Sequence, residues 1–542
     1  MDGIIDYKYI PIRGFQSFTG GDFHEEVSSD FVVLPSSFKC FLAKIPKNTL
    51  VIGANTGILI TFDPAQCYEV LGAVITSNLY DALGEIVVKE GQFTVVPAVA
   101  ESWEVKEDGK TWIFHIRKGI KFYNGDPLTA EDVVFSLKRV LKLRKPPVWL
   151  FEDVLGLTEN SIEKIDDYTV KLVVSKKLAP NIVLSVLSGS WGSIVNKKEV
   201  LRHEKDGDLG NAWLTDHSAG SGPYYLKVWK RNEMVVLEVN KYYWKGEPPI
   251  KRVIFKDIPE ENTQYLMIQK GDIDIAWNLT AEQALDIKEG KVPGARLVSI
   301  PAQAQEYVAV NVGWGPFKDP RVRMAIKLAI DYEAIIKEVR KGLAIDNFTF
   351  LPVGYLGYKP LKIKRDVEKA KKLLAEAGYP DGFEVTILTN PTAIRKAEAV
   401  IVQSNLAEIG IKANIQLMQA SQMYTKYRQQ GHQMIVAGWG VDFPDPAAQA
   451  APFADYTAHQ LAWRNMWYDD FASKLTKMAL EEMDPKVRTV IYNILIDYWF
   501  ENGPFAILYQ PVNYWAVREE VKGAEEAFAP YNFNFLMEKF HK

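Results

Sequence analysis

The chain has 542 residues, a net charge of −4, 47% hydrophobic and 24% charged residues, and only two cysteines. That length exceeds what one core comfortably holds, so two or three domains are expected. The mild acidity, with no long Lys/Arg run, excludes the basic stripe that nucleic-acid binding needs, and no apolar run is long enough for a membrane span.

Residues 1–46 carry scattered Gly, Ser and Pro with weak periodicity and read as an irregular leader. No basic segment followed by an apolar stretch is visible there, so no signal segment can be read. Cys40 lacks the small residues of a lipoprotein cleavage box, and Cys40 with Cys67 forms no CxxC pattern; a disulfide between them stays open. From Thr49 to Ala54 a short apolar run predicts a buried strand. Asp63-Pro64 predicts a helix N-cap and first helical position, with helical spacing over 68–83.

Over 94–122 the residues alternate, and Asp108-Gly109 between Trp103-Glu104-Val105 and Trp112–Ile116 signals a hairpin. Thr129 to Asp132 opens a helix over 133–143 that Pro146-Pro147 ends. Strands are expected at 169–174, 223–239 and 250–256, and a helix at 262–270 closed by Gly271. Past residue 300, helices at 320–340, 366–377 and 393–409 alternate with strands at 383–389, 412–418 and 433–437, which suggests an α/β unit. From Phe505 the chain is expected to return to short strands.

Catalytic patterns are missing. No HExxH, GxSxG or GxxxxGK occurs, and the seven histidines are dispersed. A pair of glycosidase carboxylates has no spacing rule, so a hydrolase remains one reading. The 14 Trp, 25 Tyr and 26 Phe either enlarge the core or line a ligand cleft with rings.

Several ordered blocks carry a resemblance. They are Ala100 through Asp126 to Asp132, Gly222 to Trp229 with Asn240 to Gly246, Gly271 to Ala276, Asn311 through Val322-Arg323 to Asp331, and Lys371 to Pro380. From about residue 49 onward they resemble the family 5 solute-binding proteins of ABC transporters, whose members include oligopeptide- and dipeptide-binding proteins. The resemblance implies an α/β, two-lobed periplasmic-binding-protein type II (Venus-flytrap) fold with an extra third domain. Domain I would comprise 47–83, 220–300 and 505–542, domain II the insertion 84–219, and domain III 301–504. It also implies a monomeric, extracytoplasmic receptor without cofactor, metal or catalysis, in the periplasm or on the outer face of the cell membrane. Its partners would be an oligopeptide and the permease subunits of an ABC transporter. An oligosaccharide is the alternative ligand, since rings stack on sugar faces.

The same resemblance points to site residues. Arg428 through Pro446 reads as a helix end, a short buried strand and a turn held by prolines. In peptide-binding members the Asp of a similar Trp-x-x-Asp stretch pairs with the ligand ammonium, and here that residue is Asp442. The competing reading is that Asp442 caps the Pro-rich turn. Trp439 would wall the ligand or simply pack the core, while backbone groups of Gly440 and Val441 would pair with an extended peptide. Arg428 resembles a basic residue that meets a ligand carboxylate, although a second Arg expected within the strand is replaced near Val436. Ile58 and Ile60 resemble a segment lending backbone contacts, with plain core as the other reading of Ile58. Trp149 stands where peptide binders carry an aromatic facing the cleft.

Overall fold

The computed structural model describes residues 45–528 and 535–542; the expected leader, apart from Ile45 and Pro46, and Cys40 with it lie outside them. Among the described residues, twelve strands join one sheet whose axis is the strand Phe505–Arg518. The first half of that strand pairs antiparallel with Ala304–Val310, and through it connects to Met434–Gly440, Glu384–Thr389 and Lys412–Leu417. The second half pairs with Ile275–Ala276 and Ala295–Pro301. Beyond Ile275–Ala276 lie Thr49–Ala54, Arg252–Asp257 and the hairpin Tyr224–Lys230 with Met234–Val239. The chain therefore passes between the halves twice, at Pro301 to Ala304 and near Tyr509 to Val512. We call the half containing Thr49–Ala54 lobe 1 and the half containing Met434–Gly440 lobe 2.

The segment inserted in lobe 1 builds its own four-stranded sheet, in the order Ala100–Val105, Thr111–Ile116, Thr169–Val173, Ile162–Asp166. Local chemistry explains these elements. Asp108 Oδ1 accepts the backbone N–H groups of Lys110 and Thr111, each at 2.8 Å, and Gly109 takes φ +65° to close the hairpin. Thr129 and Asp132 form a reciprocal capping box on the helix Ala130–Leu143. Arg144 then turns into the left-handed region before Pro146. The resulting core gathers Trp112, Phe114, Leu137, Leu150 and Trp191.

Four expectations need correction. Asp63-Pro64 starts a tight turn rather than a helix, because the Asp63 carboxylate binds the Ala65 N–H at 2.9 Å and both its oxygens are committed to an arginine; the helix runs Val70–Leu79. The expected single strand over 223–239 is the hairpin named above. The helix expected over 320–340 ends at Ala329, where Ile330 is extended and Asp331 caps a new turn by accepting from Ala334 N. The short strands expected after Phe505 are one strand of 14 residues, covered on both faces and hence apolar rather than alternating at its start.

Cys67 is a free, buried thiol, and burial pushes it up to about 12.

Lobe 1 is also stapled by a buried ion pair. Lys542 Nζ lies 2.8 Å from Asp274 Oδ1 and donates to the Thr49 carbonyl at 2.6 Å, while Asp274 Oδ2 accepts from Val51 N at 2.7 Å. The two side chains are 5% and 2% exposed, so neither charge has water to fall back on. Replacing Lys542 with Met should cost about 3–5 kcal/mol in urea unfolding, the penalty of leaving one buried charge unpaired. Adding Asp274→Asn to that variant should recover most of the loss; an equal loss in the double variant would assign the effect to packing instead.

Candidate functional site

Two turns of matching chemistry face each other across the lobes. In lobe 2 the strand Met434–Gly440 runs into Val441 through Pro446. Asp445 there accepts Ala447 N at 2.9 Å and holds Arg488 bidentately, at 2.6 and 2.8 Å, with both side chains buried. Arg488 also donates to the Ala479 carbonyl at 2.8 Å. Asn181 of the insertion reaches the Pro444 carbonyl and Asp445 Oδ2, both at 3.2 Å, and Phe443 and Ala447 pack into the insertion core. In lobe 1, Asp63 holds Arg139 bidentately at 2.6 and 2.5 Å, and Asn211 donates to its Oδ2 at 2.6 Å. Its carbonyl accepts Gln66 N and Cys67 N, so the chain arrives at Tyr68 with a fixed direction.

Those turns deliver Asp442 and Tyr68 to one point. The Tyr68 hydroxyl donates to Asp442 Oδ1 at 2.8 Å and accepts the Trp149 indole N–H at 2.9 Å. Burial pushes the Asp442 carboxyl above the usual carboxylate range, and the Tyr68 hydrogen bond pulls it partly back. Among the described residues no cation pairs with Asp442. Tyr355 lies close enough to feel both Asp445 and Asp442, and its buried hydroxyl has no hydrogen-bond partner among the described residues. A carboxylate shut between lobes with a single neutral donor is a place prepared for a positive charge.

The other expected residues are placed differently. The structure joins Trp149 to Asp442 through Tyr68. Asp442 is not the cap of the Pro-rich turn; Asp445 takes that role. Trp439 packs against the lobe 2 core beneath Arg464, whose guanidinium lies 5.8 Å from its ring. Val441 does not offer its N–H to a peptide, because that group already donates to the Gln303 carbonyl at 3.1 Å, and Gly440 is registered opposite Ala304. Arg428 is exposed at the end of the helix Ala420–Arg428 and is not brought to Asp442. Ile58 and Ile60 are 48% and 53% exposed rather than core.

Sequence reasoning misses Tyr68, Tyr355 and a half-buried pair beside the site strand, Arg395 with Glu306. Arg395 donates to both Glu306 oxygens at 3.1 and 3.2 Å, directly over Gly438. A Cβ at Gly438 would fall 2.2 Å from Glu306 Oε1, so only glycine lets the pair close over the strand. Arg488 did leave a signal: it shares the buried helical face of Ile491, Tyr492 and Leu495, where an unpaired charge has no place. Among the described residues, no three His, Cys, Asp or Glu side chains gather as a metal site.

The geometry defines a two-lobed fold whose lobes are joined by crossing strands. Residues 94–460 match the family described as "Bacterial extracellular solute-binding proteins, family 5 Middle", and the chain belongs to that family. It is a solute receptor of the ABC transport type, not an enzyme. The dipeptide-binding protein of Escherichia coli is 29% identical over 469 residues, covering 82% of this chain and 86% of the relative. Heme-binding protein A of Haemophilus influenzae is 30% identical over 430 residues, covering 74% and 76%. The structure of HbpA2 from Haemophilus parasuis superposes with a TM-score of 0.81 at 26% identity, covering 90% of this chain and 98% of that one. Among the described residues, no helix is long and apolar enough to cross a membrane.

The Asp445–Arg488 pair should carry the seam. Arg488→Met should destabilise the protein by about 3–5 kcal/mol, since it strands a fully buried carboxylate. Arg488→Met with Asp445→Asn should lose markedly less in the same denaturation experiment.

Proposed function

We propose that this protein captures a short peptide with a free amino terminus and presents it to an ABC transporter outside the cytoplasm. The observation that carries this reading is Asp442, half-buried at the lobe seam with the Tyr68 hydroxyl as its partner. A ligand ammonium would supply the missing charge and would be held on both sides, by lobe 2 through Asp442 and by lobe 1 through the Tyr68–Trp149 pair. Because closure brings these groups together, ligand contacts to both lobes favour the closed state. The name of the Escherichia coli relative agrees with such a ligand. A neutral oligosaccharide would leave the carboxylate uncompensated, so the charge balance favours an amine.

The two faces of Asp442 make a discriminating test. Asp442→Asn keeps an acceptor for Tyr68 but removes the charge. It should weaken binding of a free-amine dipeptide by tenfold or more, the weight of a charge-assisted hydrogen bond of about 1.5–3 kcal/mol. The ligand-free variant should be as stable as the parent or more so. A carboxyl raised by folding binds its proton more tightly in the folded state, so wild-type stability falls as pH rises through that raised value. The advantage of the variant should therefore be present at neutral pH and vanish as pH drops through the ordinary carboxylate range. Calorimetric titration and thermal unfolding read both effects. Unchanged affinity in the variant, equal affinity for an N-acetylated dipeptide, or tight binding of cellobiose would each overturn the reading.

A further inference from the structure

A cavity whose lining contains neither Asp442, Tyr68 nor Trp149 lies on the insertion. It encloses about 320 Å³ between the helix Ala130–Leu143 and the turn at Asp208 to Gly210. Its lining is apolar at Val134, Phe135 and Leu209 and basic at Lys138, Lys142, Lys164, Lys197 and the buried Arg139, which Asp63 already holds. Glu131 is the one carboxylate in the lining.

The ion pairs around this rim do not cancel it. Glu131 is shared between Lys197 at 2.5 Å and Lys164 at 3.8 Å, Lys164 also meets Asp167 at 2.7 Å, and Lys142 meets Glu159 at 3.3 Å. Lys138 is half-buried and has no ion pair among the described residues. Backbone strain marks the same place. Leu209 adopts φ +51°, which a branched side chain rarely accepts, while its carbonyl is held by Arg139 Nε at 2.8 Å. Leu209 lines the cavity in this conformation, and Lys138 stands in the same lining without an ion pair among the described residues.

We propose that this cavity binds a small anionic amphiphile, a carboxylate or phosphate carried on an acyl or aryl group, with its charge at Lys138 and its apolar body over Phe135 and Leu209. A volume near 300 Å³ is at the lower end of small-molecule sites. The apolar floor supplies area-dependent affinity and the lysines select the sign of the headgroup.

Octanoate is a suitable probe, titrated calorimetrically into the full chain. Binding of one octanoate, weakened about threefold or more by Lys138→Glu and by raising salt from about 50 to about 500 mM, supports the site. Octyl glucoside, with the same tail and no charge, should bind much more weakly, and inorganic phosphate, with charge and no tail, likewise. The experiment is repeated with the lobe seam saturated by dipeptide, so that the two sites are read separately. Undiminished octanoate binding under saturation supports the proposal; displacement by dipeptide would put the probe in the seam and overturn it. Equal binding of octyl glucoside, equal binding by a correctly folded Lys138→Glu protein, or no binding of octanoate would also overturn it.

Discussion

A carboxylate taken out of water is best answered by positive charge or by several donors, and four carboxylates of this molecule are answered so. Asp63 and Asp445 are answered by arginines, Asp274 by Lys542, and Asp132 by N–H groups at a helix start and beyond. Asp442 receives one phenolic hydroxyl. The contrast within a few residues of sequence, between Asp445 with its bidentate arginine and Asp442 without a cation among the described residues, is what the proposed ammonium site rests on.

The two lobes reach that position by the same device. Asp63-Pro64-Ala65 and Asp445-Pro446-Ala447 both use the carboxylate to bind the N–H two residues on and both hold an arginine with two hydrogen bonds. Proline fixes the backbone between them and the arginine fixes the carboxylate plane. Each turn then aims one neighbouring side chain, Tyr68 from lobe 1 and Asp442 from lobe 2, with little rotational freedom left. A site split across a moving seam gains from rigid mounts, since the energy of closure is not spent ordering the groups that close.

Much of this was legible in the residues. The hairpin at Asp108-Gly109, the capped helix from Thr129, and the helix between Asp366 and Gly378 rest on local chemistry, and the structure shows all three. The blocks that resemble the family gave the receptor class. Asp442 was singled out, but its partner was not, because Tyr68 lies 374 positions away and no periodicity connects them. The errors share a cause. Asp63-Pro64 carries a good helix-start signature, yet Arg139 claims the carboxylate that would have capped the helix. Val441 looked available to a ligand, yet Gln303, in the crossing connection before the neighbouring strand, already takes its N–H. In both cases a distant residue outcompeted a local rule.

The strand Phe505–Arg518 is shared by both half-sheets and follows, in chain order, every strand it pairs with. A ribosome delivers it after them, so until then each half-sheet has an open edge where this strand belongs. Neither lobe can be completed as an independent early folding unit, and the pairings that finish both are remote in sequence, such as Ala309 with Phe505 and Ile275 with Val517. Either half-sheet is thereby kept from closing until every strand that this one joins has been made.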